Sequence, residues 1–432
     1  MGTRRARGRR AIVVGAAVAA CGGTYGADPP ATAPKTTTDQ GDGSAPAGDA
    51  SSTTDDGGTS LPECRAQRIV HLVGGGGGLA WFTLLWPVPS VIGSFDPAYA
   101  YDDPTLAAPA PGTSTAHPLY ARKVQGDVLW AKTGTHATPT VLVSGTNQTH
   151  TSSPNTTTMG AHEIVAAGAA AQKALAAPVP ALRFALRALR YGPAPDAPAI
   201  RDVANVDEAV EAIAEVKTLT DAQRAELGPA AGDLDAWTGA AAPKSVVDLA
   251  TLLYFTAAAF RHGLVGTVVM PALGGTDPHG AFADGAATLH ADALARVLHT
   301  FYEELNKTTE PACSHDGAAV SLADNVLLLV SGDTPKNPFV RDAWPDGSPG
   351  GANWIYARAN GYLVPGWFGQ VTPSGKTDFN PTTGALDPAT SADDAKRASL
   401  AGILFAMTRG DAAYVASLDG GSYQGLVPST LP

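Results

Sequence analysis

Apolar and polar positions along this chain change their period several times, and each change marks an element. Arg68 to Val73 (Arg-Ile-Val-His-Leu-Val) is a short apolar run ending in Gly74 to Gly78, so it reads as a strand feeding a sharp turn. Residues 79 to 158 are rich in Pro, Gly and Thr, with Val141 to Val143 as their best strand. Helical spacing then dominates over Met159 to Leu175, Ala181 to Arg190, Val206 to Lys217, Asp221 to Leu227 and Ser245 to Arg261. Asp221 after Thr220, and Asp248 early in its helix, put acids where the helix dipole favours them. Leu264 to Leu273 is apolar on both alternations, as a strand buried on both faces requires. A long helix from Asp284 to Asn306 follows, then a second buried strand, Asn325 to Val330, stopped by Ser331-Gly332-Asp333. Residues 332 to 395 read mostly as loop, and a last helix runs from about Asp394 to Thr408. Strand, long helix and strand form a βαβ unit, so the pattern predicts an α/β fold with a central, largely parallel sheet.

The N-terminal end follows a different logic. Arg4, Arg5, Arg7, Arg9 and Arg10 precede an apolar stretch, Ala11 to Ala20, that ends at Cys21. A basic end, a short hydrophobic run and small residues before the break are the pattern of an export signal. The run is about half of the roughly 20 residues a membrane-spanning helix needs. Val18-Ala19-Ala20-Cys21 resembles a bacterial lipobox, which makes residues 1–21 a lipoprotein signal peptide and Cys21 the lipidation site. Acylation there would attach the chain stably to a membrane. A plain signal peptide with a chance cysteine is the ordinary alternative. The paired arginines also suit a twin-arginine export route. Gly22 and Gly23 follow Cys21 where an Asp would retain the protein, which resembles lipoproteins sorted to the outer membrane of a Gram-negative host. Residues 22–62 are nearly all Gly, Ala, Ser, Thr, Asp and Pro, and such a segment buries too little apolar surface to offset its ordering entropy. They are expected to be a disordered tether, leaving 63–432 as one α/β domain with long loop insertions.

Charge narrows the partners. The formal charge is −11, and removing five arginines with the signal takes it to about −16. A surface that acidic argues against nucleic acid, because phosphate binding needs clustered Lys and Arg. Of three cysteines, Cys64 and Cys313 remain after Cys21 is assigned to lipid. In an exported protein they are expected to pair, although two independent buried thiols fit the same spacing.

Ligands of open α/β sheets bind beyond the carboxyl ends of the strands, and several such ends carry suggestive residues. Gly74 to Gly78 lacks the Lys-Ser/Thr of a P-loop, and Leu79 occupies the third glycine position of the dinucleotide spacing. A tight structural turn is its ordinary reading. Asp277 and His279 follow the strand 264–273, two residues apart, as a cation site requires. Taken alone they equally fit a capping Asp and a solvated His. Asp333 follows the strand 325–330, where it also fits a backbone-bonded turn acid. His150 follows Val141 to Val143 on a polar loop, where a solvated His is the default. His290 and His299 read as surface or packing residues, and His71 as a satisfied core histidine. No Gly-x-Ser-x-Gly elbow occurs, which disfavours an ordinary serine hydrolase.

In their order, three of these segments resemble the secreted bacterial group called domain of unknown function 1501, related to alkaline phosphatases and sulfatases. They are His71 to Leu79, Gly275-Thr276-Asp277-Pro278-His279, and Leu327-Leu328-Leu329-Val330-Ser331-Gly332-Asp333. The resemblance spans residues 68 to 430 loosely. It implies an alkaline-phosphatase-like α/β/α sandwich, with one divalent metal (Zn, Mn or Ca) on Asp277, His279, Asp333 and His150 if a site is kept. It further implies Thr83 or a metal-bound water as nucleophile in a hydrolase of phosphate or sulfate esters. The departures are specific. No acid lies within Gly74 to Trp81, Asp333 has no adjacent histidine, and no histidine follows His315. The expectation is therefore a degenerate, non-catalytic module with a binding or structural role at the cell envelope. A reduced single-metal hydrolase is the alternative. Trp344, Trp354, Tyr356, Tyr362, Trp367 and Phe368 fit either a ligand-facing surface or packing over the sheet.

Overall fold

Eight strands form one sheet, and the pairing order explains why its middle is the most apolar part of the chain. The computed structural model describes residues 61–73, 140–145, 186–191, 201–239, 242–271, 286–331, 353–372, 375–417 and 421–432. The strands are β1 (Arg68–Val73), β2 (Thr140–Gly145), β3 (Leu186–Tyr191), β4 (Arg201–Val203), β5 (Val265–Pro271), β6 (Val326–Ser331), β7 (Asn353–Arg358) and β8 (Gly366–Phe368). Their order is β4-β3-β5-β1-β6-β7-β2-β8. Only β7 runs antiparallel to its neighbours, β6 and β2; the other pairings in this sheet are parallel. The expected α/β class with a largely parallel sheet is therefore present. Two short strands, β9 (Gln370–Thr372) and β10 (Gly375–Thr377), pair separately.

Among the described residues seven helices accompany the sheet: α1 (Val206–Ala214), α2 (Asp221–Leu227), α3 (Asp235–Thr238), α4 (Lys244–Arg261), α5 (Ala286–Asn306), α6 (Ala392–Met407) and α7 (Ala412–Ser417). Their starts follow local chemistry. Thr220 and Gln223 form a reciprocal capping box at α2. Ser391 accepts from the Asp394 backbone N–H, which starts α6 earlier than the apolar spacing suggested. Helices α4 and α5 pack on each other, α4 also touches β5, and α6 packs on β2. The crossover β5–α5–β6 places β6 two positions from β5, with β1 between them. Every residue of β6 is buried, as the two-sided apolar run requires.

Two expectations are corrected. The helical spacing of Ala181 to Arg190 does not give a helix at its end, because Leu186–Tyr191 is strand β3, paired with β5 and β4. Ala, Leu and Arg favour a helix locally, but the unpaired edge of β5 supplies backbone partners that propensity does not weigh. The segment 332–395, read as mostly loop, contributes four short strands, β7 to β10, among its described residues. In β7, Arg358 reverses the apolar signal and yet is fully buried, its guanidinium carbon 3.5 Å from the centroid of the Tyr302 ring.

The amino edge of the central strands holds a buried polar network. Arg68, the first residue of β1, donates from Nε and Nη2 to the two Glu310 oxygens at 2.8 and 2.5 Å, and from Nη1 to the Val265 carbonyl at 2.9 Å. Both side chains are 1% exposed. Glu310 also accepts from Asn325 Nδ2 at 3.0 Å and from the Ala312 N–H at 3.1 Å, and Asn325 Oδ1 accepts from Arg409 at 3.0 Å. Gln67 donates to the Ala406 carbonyl, while Asn360 donates to both Gln67 Oε1 and the Val326 carbonyl. One connected set of bonds thus ties β1, β5, β6 and the end of α6.

Burial alone would raise the Glu310 pKa, but Arg68 beside it, with the hydrogen bonds from Arg68, Asn325 and Ala312, holds the carboxyl below its ordinary value. A depressed folded pKa means a stabilisation present above the unfolded value near 4.3 and lost as pH falls through the folded one. Glu310→Gln should cost about 3–5 kcal/mol in urea unfolding at neutral pH, because it strands a buried guanidinium. The variant should also lose part of the acid dependence of stability below about pH 4.

Cys64 and Cys313 form the expected disulfide, with Cα atoms 4.9 Å apart across 249 residues of chain. Closing so long a loop restricts the unfolded chain strongly. The double variant Cys64→Ser/Cys313→Ser should lower unfolding stability by about 2–5 kcal/mol, measured by urea or thermal denaturation.

Candidate functional site

The parallel topology sends several sequence-singled segments from the same edge of the sheet. Val73 of β1 is in register with Pro271 of β5 on one side and with Ser331 of β6 on the other. Gly145, at the end of β2, lies at the same edge beyond β7. The glycine run, Asp277 with His279, Asp333 and His150 follow these strand ends in sequence, and all lie outside the described residues, as do Thr83 and Cys21.

Two described side chains mark this edge. His71 and Ser331 are fully buried, and His71 Nε2 lies 2.9 Å from Ser331 Oγ. Both stand on one face because His71 is opposite Leu329, two residues before Ser331, and strand side chains alternate. The expected core role for His71 is therefore met. Among the later aromatics, Tyr356 and Phe368 are buried in the core as packing residues, and Tyr362, also largely buried, packs there with one side on a cavity at the amino end. Trp344 lies outside the described residues. His299 lies 3.3 Å from Glu303 on the outer turn of α5, an i, i+4 pair.

The opposite, amino end carries a group that the sequence reading did not single out. Glu63, His315 and Asp316 offer ligand atoms that all lie within 4.8 Å of one another. The disulfide places them: Glu63 precedes Cys64, and His315 follows Cys313 by two residues. A parallel bridge joins Glu63 to Ser314, with Cys64 N–H donating to the Ser314 carbonyl at 2.7 Å and Ser314 N–H to Pro62 at 2.8 Å. His315 and Ala318 exchange backbone hydrogen bonds across Asp316-Gly317. Asp316 has φ +49° and Gly317 φ +75°, the two positive angles of a primed turn, for which Asp-Gly is a preferred pair.

Within the group, His315 Nδ1 lies 2.8 Å from Glu63 Oε1, and the Asp316 backbone N–H donates to Glu63 Oε2 at 2.9 Å. His315 Nε2 and Asp316 Oδ2 are 4.0 Å apart. Asp316 is almost fully exposed, Glu63 is exposed, and His315 is partly buried. A cavity of about 350 Å³ adjoins them, lined by Glu63, Arg65, His315, Tyr362, Arg409 and Asp411. Burial pushes the Tyr362 phenol up, so it faces this cavity as a neutral hydroxyl. The signal for the group was present in the sequence, in the residues flanking Cys64 and Cys313. It became legible only once those two cysteines were known to be joined.

No protein-family model matches this chain, and neither does any curated protein or solved structure.

Proposed function

We propose that this is an exported, lipid-anchored envelope protein whose alkaline-phosphatase-like α/β/α domain serves as a binding or structural module rather than a hydrolase. The observation that carries the reading is the place of β1. It sits between β5 and β6, so its carboxyl end opens at the middle of the edge where such folds hold ligands. The residues leaving it, Gly74 to Gly78 and then Leu79-Ala80-Trp81, supply no carboxylate for a metal or a nucleophile. The disulfide supports export, because such bonds persist in oxidising compartments and are rare in the cytosol. Cys21 is the anchor and residues 22–62 are the tether.

A second reading draws on the same topology. The carboxyl ends of β5 and β6 flank that of β1, and Asp333 stands two residues beyond Ser331, within about 7 Å of chain reach. Asp277, His279 and Asp333, with His150, would then hold one divalent metal, which would polarise an anionic ester.

The purified protein, supplied with zinc, manganese or calcium, is expected to leave aryl phosphate and aryl sulfate monoesters unhydrolysed. Metal-dependent turnover that disappears in Asp277→Ala/His279→Ala would establish the hydrolase instead. Cys21→Ser is expected to move the protein from the membrane fraction to the soluble one on cell fractionation; retention in the membrane would remove the lipid anchor from this reading.

A further inference from the structure

We propose that Glu63, His315 and Asp316 form a divalent transition-metal site at the amino end of the sheet, separate from the strand-end residues discussed above. Glu63 belongs to a segment joined to Cys313-Ser314 by the Cys64–Cys313 bond and by the backbone bridge between Glu63 and Ser314. The Asp316-Gly317 turn, closed by the His315–Ala318 backbone pair, fixes the other two residues. The backbone carrying the three residues is therefore held before binding, and preorganisation of this kind raises affinity.

The donor chemistry fits next. With Nδ1–H donating to the Glu63 carboxylate, the imidazole presents Nε2 as its free lone pair, the tautomer found in carboxylate–histidine–metal arrangements. The tautomer follows from this hydrogen bond. Asp316 Oδ2 stands 4.0 Å from that nitrogen. Two ligands of one tetrahedral zinc, each about 2.0–2.2 Å from it, are roughly 3.3–3.5 Å apart. A small rotation of the exposed Asp316 side chain closes the difference. Glu63 supports the set from behind the ring, holding His315 Nδ1 and the Asp316 N–H so that Nε2 and the Asp316 carboxylate stand together.

One imidazole with carboxylates selects zinc and its first-row neighbours over magnesium and calcium, which favour all-oxygen shells. The site leaves coordination positions open, and Glu63 and His315 both line the cavity that also contains Arg65 and Arg409.

Equilibrium dialysis of the full chain against zinc, with cobalt absorption as a second probe, tests the site. The expected result is about one equivalent of zinc that calcium does not displace, lost in His315→Ala and weakened roughly 10–100-fold in Glu63→Gln. Both variants keep the disulfide, and unchanged thermal unfolding of the metal-free forms would show that they fold. Asp277→Ala/His279→Ala separates this site from the strand-end metal of the second reading, since zinc at His315 survives that change. Zinc binding that persists undiminished in His315→Ala, or no zinc binding at all, would overturn the assignment.

Discussion

Arg68 carries a full charge into the amino edge of the central sheet, and Glu310 makes that position tolerable. A guanidinium taken out of water without a partner costs several kcal/mol, so the strand cannot occupy the middle of the sheet unless a carboxylate arrives with it. Glu310 arrives from the loop between α5 and β6, and three groups besides Arg68's own pair of donors are tied to it directly or through Asn325: Asn325, Ala312 and Arg409. The bidentate geometry orients as well as attracts, so it fixes the register of β1 against its surroundings. Arg68 Nη1 on the Val265 carbonyl extends the same constraint to β5.

The disulfide lies beside this network and shares its elements. Cys313 follows Glu310 by three residues, and Asn325 Nδ2 lies 3.8 Å from its sulfur. The ion pair, the bond between cysteines and the Glu63–His315–Asp316 group are therefore successive layers of one construction, running from the core to the surface. The opposite edge has another character. There the described strands end in small or apolar residues, with His71 and Ser331 as a buried hydrogen-bonded pair. Among the described residues the buried ion pair lies at the amino end, while in sequence the carboxyl end of β1 leads into glycine with no acid before Trp81. The proposed binding role rests on that missing acid.

Some of this was legible in residue order and some was not. Strands β1, β5 and β6 were readable because burial on both faces leaves an unbroken apolar run. Helices α1, α2, α4, α5 and α6 were readable from their 3.6-residue spacing, although the start of α6 at Ser391 was missed by three residues. Strand β3 was not, because Ala, Leu and Arg carry a helical preference that pairing with β5 overrides. Strand β7 was hidden by Arg358, whose burial depends on the Tyr302 ring lying beneath it. The site was only partly legible. The strand-end candidates came from position after a strand, whereas Glu63 lies 252 residues from His315 and its neighbour Asp316, too far for spacing to connect.

The sequence by itself determined the α/β alternation and the burial of the central strands, and it is the sole basis for the proposed export signal and tether. These are local properties: period, caps and composition act within a few residues. Only the tertiary structure decided that Glu310 neutralises Arg68 across 242 residues, that Cys64 meets Cys313, and that a turn at Asp316-Gly317 stands against Glu63. Those pairings depend on which loops close and which faces pack, and no local pattern encodes the partner of a buried charge.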